Sequence, residues 1–161
     1  MINKLRDRKA INYEPDLLTE GLTDFKLIKA THNQWQSTDI FKNKNILVLA
    51  TGPSSVKYKK GIEIYIKKTK SIVIALNTPT PIKDHLIDIR AACHPIRMMK
   101  DVNQYQKMNQ LLLCPYSNLE PNLYEKLNRE KILDYGLITK EQTFTFEQNY
   151  CVIPKPLVLI Y

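Results

Sequence analysis

The stretch Asn45-Ile-Leu-Val-Leu-Ala-Thr-Gly-Pro-Ser-Ser55 constrains the chain more than any other. Ile46 to Ala50 are consecutive apolar residues, the pattern of a strand covered on both faces in a parallel sheet. A turn follows at once. Gly52 admits backbone conformations closed to other residues, Pro53 pre-sets φ for a first helical turn, and Ser54 or Ser55 stands where a helix is capped. The free N–H groups of such a turn, with a helix dipole behind them, suit an anion. Gly-Pro-Ser turns also join strands to helices with no ligand present, but this chain has only 4 glycines in 161 residues, so one at this junction is informative. It is not a P-loop, since no Gly-Lys-Ser/Thr follows, and the Gly-x-Gly-x-x-Gly fingerprint is absent.

The flanking sequence extends this strand and turn into an α/β pattern. Tyr58, Ile62, Tyr65 and Ile66 recur at helical spacing, which predicts an amphipathic helix with lysines on its other face. Ser71 to Leu76 is a second apolar strand, completing a βαβ unit with an expected right-handed crossover. Leu86 to Cys93 reads as a third strand, followed by a helix carrying Met98, Val102 and Tyr105 on one face. Gln110 to Cys114 is a fourth strand closed by Pro115, and Pro121 opens a helix that buries Leu123 and Leu127. Lys131 to Thr139 reads as a further strand bent at Gly136. Thr143 to Glu147 alternates so that Phe144 and Phe146 share a face, and Tyr150 to Ile153 is again apolar.

Upstream, Met1 to Asn12 is a basic stretch without periodicity, and a helix is expected from Pro15 with Leu18, Leu22, Phe25 and Ile28 as its apolar stripe. Thr31 to Lys44 reads as a loop or short helix docking Trp35 and Phe41, with His32 at the surface. The expected fold is therefore α/β, a Rossmann-like three-layer sandwich with a mostly parallel sheet over residues 15–161, after a lead-in over 1–14. The sequence stops inside the apolar run Leu157 to Tyr161. This predicts a fragment of a longer protein, truncated at its C-terminus, whose open sheet edge invites a homodimer.

Charge and cysteines narrow the class. With 43% hydrophobic residues and no apolar run of membrane-spanning length, a soluble domain is expected. Met1 to Lys9 lacks a signal-peptide core, and Cys93, Cys114 and Cys151 are odd in number and widely spaced; this fits the cytoplasm, with the thiols as small buried hydrophobes. Lys and Arg number 24 against 16 Asp and Glu, a net +8 that favours anionic partners. The densest patch, Lys57, Lys59, Lys60, Lys67, Lys68 and Lys70, reads as a solvated helix face. It lacks a recognition-helix motif or aromatic stacking platform, so nucleic acid is not the expected partner. Docking of this basic helix on an anionic membrane surface is a weaker alternative.

The candidate site gathers at strand ends. Ligands of open parallel sheets bind beyond the carboxyl ends of strands, so Gly52 to Ser55 and Asn77 to Thr80 should face one crevice. Thr51, Gly52, Pro53, Ser54 and Ser55 would hold phosphate, and Asn77 would contact a base or ribose; Asn77 serves equally well as a turn former ahead of Pro79. His94 and Arg97 stand at another strand-to-helix junction, where an Arg pairs with phosphate or carboxylate and a His binds or exchanges a proton. Cys93-His94 does not make a zinc site, because no CxxC or HxxxH spacing supplies further ligands.

Together, Ala-Thr-Gly-Pro-Ser-Ser55, Ile-Val-Ile-Ala-Leu-Asn77, Ala-Cys-His-Pro-Ile-Arg97, Ile-Leu-Asp-Tyr-Gly136 and Asn-Tyr-Cys-Val-Ile-Pro154 resemble a known domain. It is the one that follows the TIM barrel in bacterial HMG-CoA-lyase-like or 4-hydroxy-2-oxovalerate aldolase-like proteins of surface-polysaccharide biosynthesis. The resemblance covers roughly residues 40–161, with Ala50 standing where family members usually carry glycine. The Gly-Pro-Ser turn is also similar, locally, to the nucleotide-binding turn of bacterial sialyltransferases. The first likeness implies an accessory domain that binds a nucleotide or nucleotide-sugar, beside a TIM-barrel lyase-like domain that holds the metal and the lyase chemistry. The second implies a glycosyltransferase in which His94 is the general base and Arg97 stabilises the leaving phosphate.

Overall fold

A computed structural model of the chain describes residues 36–140, 144–146 and 150–154. The expected lead-in over 1–14, the expected helix from Pro15, His32, Trp35 and the run Leu157 to Tyr161 lie outside the described residues.

Five strands form one sheet that is parallel throughout: β1 (Ile46–Leu49), β2 (Ile72–Leu76), β3 (Ile89–Ala91), β4 (Leu111–Cys114) and β5 (Ile132–Asp134). Each pairs with the next in sequence, with Leu49 opposite Ala75, Leu76 opposite Ala91, Ala91 opposite Leu113 and Cys114 opposite Asp134. Helix α1 (Ser37–Phe41) precedes β1; α2 (Pro53–Lys57) and α3 (Lys59–Thr69) join β1 to β2; α4 (Pro95–Lys100) and α5 (Val102–Lys107) join β3 to β4; α6 (Pro121–Tyr124) lies between β4 and β5. The β2–β3 connection holds a single 3-10 turn, Asp84–Leu86. This is the expected α/β, Rossmann-like arrangement.

Strand alternation sorts the core into two faces. On one, Leu47, Leu49, Val73 and Ala75 meet Ile62 and Ile66 of α3, while Leu112, Cys114 and Ile132 meet Met98, Val102, Tyr105 and Leu123 of α4, α5 and α6. On the other, Ile72, Ile74, Ile89, Ala91, Leu111, Leu113 and Leu133 meet Ile40 and Phe41 of α1. Crossovers of one hand that always step the same way across a sheet fall on the same side, which is why α3 to α6 share a face. Asp88 fixes the start of β3 by accepting a hydrogen bond from the backbone N–H of Val73 at 2.8 Å.

Local expectations are corrected at several places. β1 is not covered on both faces: Ile46 and Val48 are 46% and 57% exposed. Among the described residues it is the edge strand, and the side chains of α1 join the cluster around Ile74, Ile89 and Leu133 instead. The helix after the glycine turn is broken at Tyr58, and Tyr58 and Tyr65 point outward at 56% and 51% exposure. Consecutive helical residues stand about 100° apart, so a face centred on Ile62 and Ile66 leaves Tyr65 on the flank. The third strand is shorter than Leu86 to Cys93, because the 3-10 turn takes up its beginning. Lys131 to Thr139 is not one bent strand but β5 and then β6 (Gly136–Lys140), which belong to different sheets.

Among the described residues the second sheet has three strands, with β8 (Tyr150–Pro154) between β6, parallel to it, and β7 (Thr145–Phe146), antiparallel to it. Leu137 of β6 packs with Cys151, Ile153, Tyr135 and Cys93, so this sheet adjoins the chain leaving β3. Asn118 ties the sheets further: its Oδ1 accepts from Leu137 N at 3.3 Å and its Nδ2 donates to Leu137 O at 3.2 Å. Among the described residues no helix is long and apolar enough to cross a membrane.

Candidate functional site

Parallel strands in sequential order place everything that follows β1, β2 and β3 along one sheet edge, each strand about 4.8 Å from the next. Ala50 to Ser55, Asn77 to Thr80 and Ala92 to Arg97 are therefore neighbours in that order. The described strand order has no reversal, so these loops are not parted by crossovers leaving on opposite faces, the usual origin of a nucleotide crevice.

At the bend after β1 the geometry differs from expectation. Gly52 has φ −76° and ψ 161°, an extended conformation open to any residue. A Cβ there would meet Ser54 Oγ at an ordinary 3.7 Å, so the freedom peculiar to glycine is not used. Neither serine caps α2. Gly52 is the N-cap residue, and Ser55 donates its hydroxyl backward to Gly52 O at 2.6 Å while its N–H goes to the same oxygen at 3.0 Å. Ser55 is consequently buried, whereas Thr51, Pro53 and Ser54 are exposed. With five residues in α2, the dipole behind the bend is that of little more than one turn.

Asn77 adopts a left-handed conformation, φ 59°, which asparagine tolerates far better than β-branched or bulky residues. Its N–H donates to Ala91 O at 2.8 Å, so the chain leaving β2 is held against β3. The turn-forming role of Asn77 is thus seen directly.

His94 is the N-cap residue of α4 and is only 8% exposed; its Nδ1 has no hydrogen-bond partner among the described residues. Burial, and secondarily the Arg97 guanidinium, push its pKa below the ordinary histidine value. The neutral ring is therefore favoured by the fold. An unfolded chain takes up the proton near pH 6.5, so this contribution to stability is complete above that pH and is lost as pH falls towards the lower folded value. The urea midpoint is expected to fall from pH 7 to pH 5.5, and to fall less in His94→Gln; equal slopes in both proteins would refute the assignment. Arg97, one turn further along α4, is exposed at the same sheet edge.

The cysteines behave as expected of small buried hydrophobes. Cys114 is fully buried, Cys93 and Cys151 partly so, and all three are free thiols. Burial pushes the Cys93 thiol up to about 11, which leaves it protonated and unreactive.

Among the described residues the most elaborate polar arrangement surrounds Arg90 of β3, a residue outside the candidate set that the strand-end motifs define. Arg90 is 6% exposed. Its Nη1 donates to Asn77 O at 3.1 Å and Thr78 O at 2.6 Å, and its Nη2 to Asp84 Oδ1 at 2.5 Å. Gln110 donates its Nε2 to Asp84 O at 2.9 Å and Asp84 Oδ2 at 3.0 Å. The Gln110 hydrogen bond, and then Arg90, hold the Asp84 carboxyl below its ordinary pKa, although burial works in the other direction. Thr78 donates its hydroxyl to Asp101 Oδ2 at 2.5 Å, which ties the β2–β3 connection to the start of α5.

Beside this network lies a hollow of about 220 Å³ lined by Thr78, Asp84, Arg90, Gln104, Lys107 and Met108. None of Thr51 to Ser55, His94 or Arg97 lines it. It lies between the helix-free β2–β3 connection, which supplies Thr78 and Asp84, and α5, which supplies Gln104 and Lys107. One signal in the sequence pointed here. Arg90 sits between Ile89 and Ala91 inside a strand, and a charge in such a place must find buried partners.

No protein-family model, curated protein or solved structure matches the chain.

Proposed function

We propose that the chain is a binding module for a nucleotide or nucleotide-sugar, with its ligand at the carboxyl edge of β1, β2 and β3. The observation that carries this reading is the convergence of three segments, Thr51 to Ser55, Asn77 and His94 to Arg97, on adjacent strand ends. The exposed hydroxyls of Thr51 and Ser54 and the exposed guanidinium of Arg97 are suited to an anion there, and the net charge of +8 favours its approach. In this reading the module serves as the accessory domain of a lyase-like protein of bacterial polysaccharide biosynthesis, next to a TIM-barrel domain that performs the chemistry.

A transferase with His94 as general base fits the geometry less well. At 8% exposure the imidazole is poorly placed to reach an acceptor hydroxyl, whereas binding by Arg97 requires no such access.

Thermal melts with a panel of nucleotides and CMP- and UDP-sugars test the proposal. A ligand at about 100 times its dissociation constant stabilises by ~2.7 kcal/mol, which raises Tm by roughly 5–10 °C in a chain of this size. Arg97→Ala should remove most of that rise. A panel that shifts nothing at millimolar concentration overturns the reading.

A further inference from the structure

The hollow beside Arg90 borders the exit of β2 through Thr78 but is lined by none of Thr51 to Ser55, Asn77, His94 or Arg97, and its lining has a definite chemistry. Arg90 is fixed from three directions by Asn77 O, Thr78 O and Asp84, which spend three of its N–H donors and leave two of the five a guanidinium carries. Held in this way it loses no side-chain freedom when it meets a ligand. Lys107, at the end of α5, is exposed, and its ammonium makes no ion pair or hydrogen bond among the described residues. Asp84 contributes an exposed carboxylate, so the charged lining, two cations and one anion, carries a net single positive charge. In the network beneath, Gln110 donates its amide to Asp84 while its Oε1 is buried without a hydrogen-bond partner among the described residues.

We propose that this hollow binds a small hydroxylated carboxylate, its carboxylate group between Arg90 and Lys107 and its hydroxyls against Asp84, Thr78 and Gln104. Size sets the first limit. A six-carbon ring occupies a cavity of ~150 Å³, so about nine non-hydrogen atoms suit this one, the scale of a short sugar acid. Charge sets the second. A phosphate dianion brings two negative charges towards Asp84 into a lining that offers one net positive charge, whereas a monoanion is balanced. The hydrogen-bond pattern sets the third, since Asp84 accepts only and asks for a donor, which a hydroxyl provides and a bare carboxylate does not.

Calorimetric titration of the full chain with sodium threonate, with erythritol and inorganic phosphate as comparison probes, tests this. Threonate should bind at least ten-fold more tightly than either comparison probe. Lys107→Ala, a change at an exposed position, should weaken threonate by about ten-fold or more, the usual scale for losing a hydrogen bond to a charged group, without altering the melting temperature of the unliganded chain. The same variant should keep the full response to nucleotides, which separates this site from the one at the strand ends. Absence of threonate binding at millimolar concentration, phosphate binding as tight as threonate, or an unchanged affinity in Lys107→Ala would each overturn the proposal.

Discussion

Replacing Arg90 by leucine is expected to lower the unfolding free energy by about 3 kcal/mol, the scale of leaving two part-buried carbonyls without their donor. The attraction to Asp84 is the smaller part of this. Asp84 is 66% exposed, and a pair with one partner in water is strongly screened. The larger part comes from Asn77 O and Thr78 O, which both lose their guanidinium donor on the chain leaving β2. That chain has no helix to hold it, so Arg90 substitutes for the packing a crossover helix provides elsewhere in this sheet. Urea unfolding of Arg90→Leu, Arg90→Lys and Asp84→Asn separates the contributions. Lysine keeps the charge but cannot serve three acceptors from a fixed plane, and is expected to recover less than half of the loss. Asp84→Asn should cost under about 1 kcal/mol. If Arg90→Leu costs no more than Asp84→Asn, the carbonyl anchoring is not what holds the loop.

The second large effect is expected at Leu112, in β4 between β3 and β5. It is 1% exposed and lies in the cluster that joins α4, α5 and α6 to the sheet. Leu112→Ala leaves a cavity that a close-packed sheet cannot collapse around, and should cost about 3 kcal/mol within the usual range of ~2–5. The same truncation at Val48, 57% exposed on the edge strand, should stay within about 0.5 kcal/mol. Because α4 begins at His94 and carries Arg97, loosening its seat should also weaken any ligand held at the strand ends. Denaturant midpoints for both variants, with nucleotide titrations of the Leu112 variant below its melting temperature, decide this. A Leu112→Ala protein as stable as Val48→Ala would mean that this cluster is not the core.

The residues that revealed themselves in the sequence did so through local pattern. Ile46 to Leu49, Ile72 to Leu76 and Leu111 to Cys114 are apolar runs bounded by turn residues, and each is a strand. Pro95 and Pro121 open helices, as their fixed φ and missing donor favour. The same local logic misplaced what depends on neighbours. Gly52 looked like a residue chosen for a special backbone angle, yet its angle is ordinary. Ser55 looked like a cap, and instead turns its hydroxyl back to Gly52 O. Tyr58 and Tyr65 matched a helical stripe but stand outside the narrow face that α3 presents to the sheet. Arg90, Asp84 and Gln110 meet across as many as 26 positions of sequence, and no periodicity within a window of one element can bring them together.

The amino-acid order alone was sufficient for a parallel α/β sheet and for the junctions at its strand ends, because backbone hydrogen bonding and burial of unbroken apolar runs act over a few residues at a time. Tertiary structure alone decided that the crossover helices share one face, that one connection carries no helix, and that a buried arginine fills its place. These outcomes depend on which strand lies beside which, a matter of long-range packing.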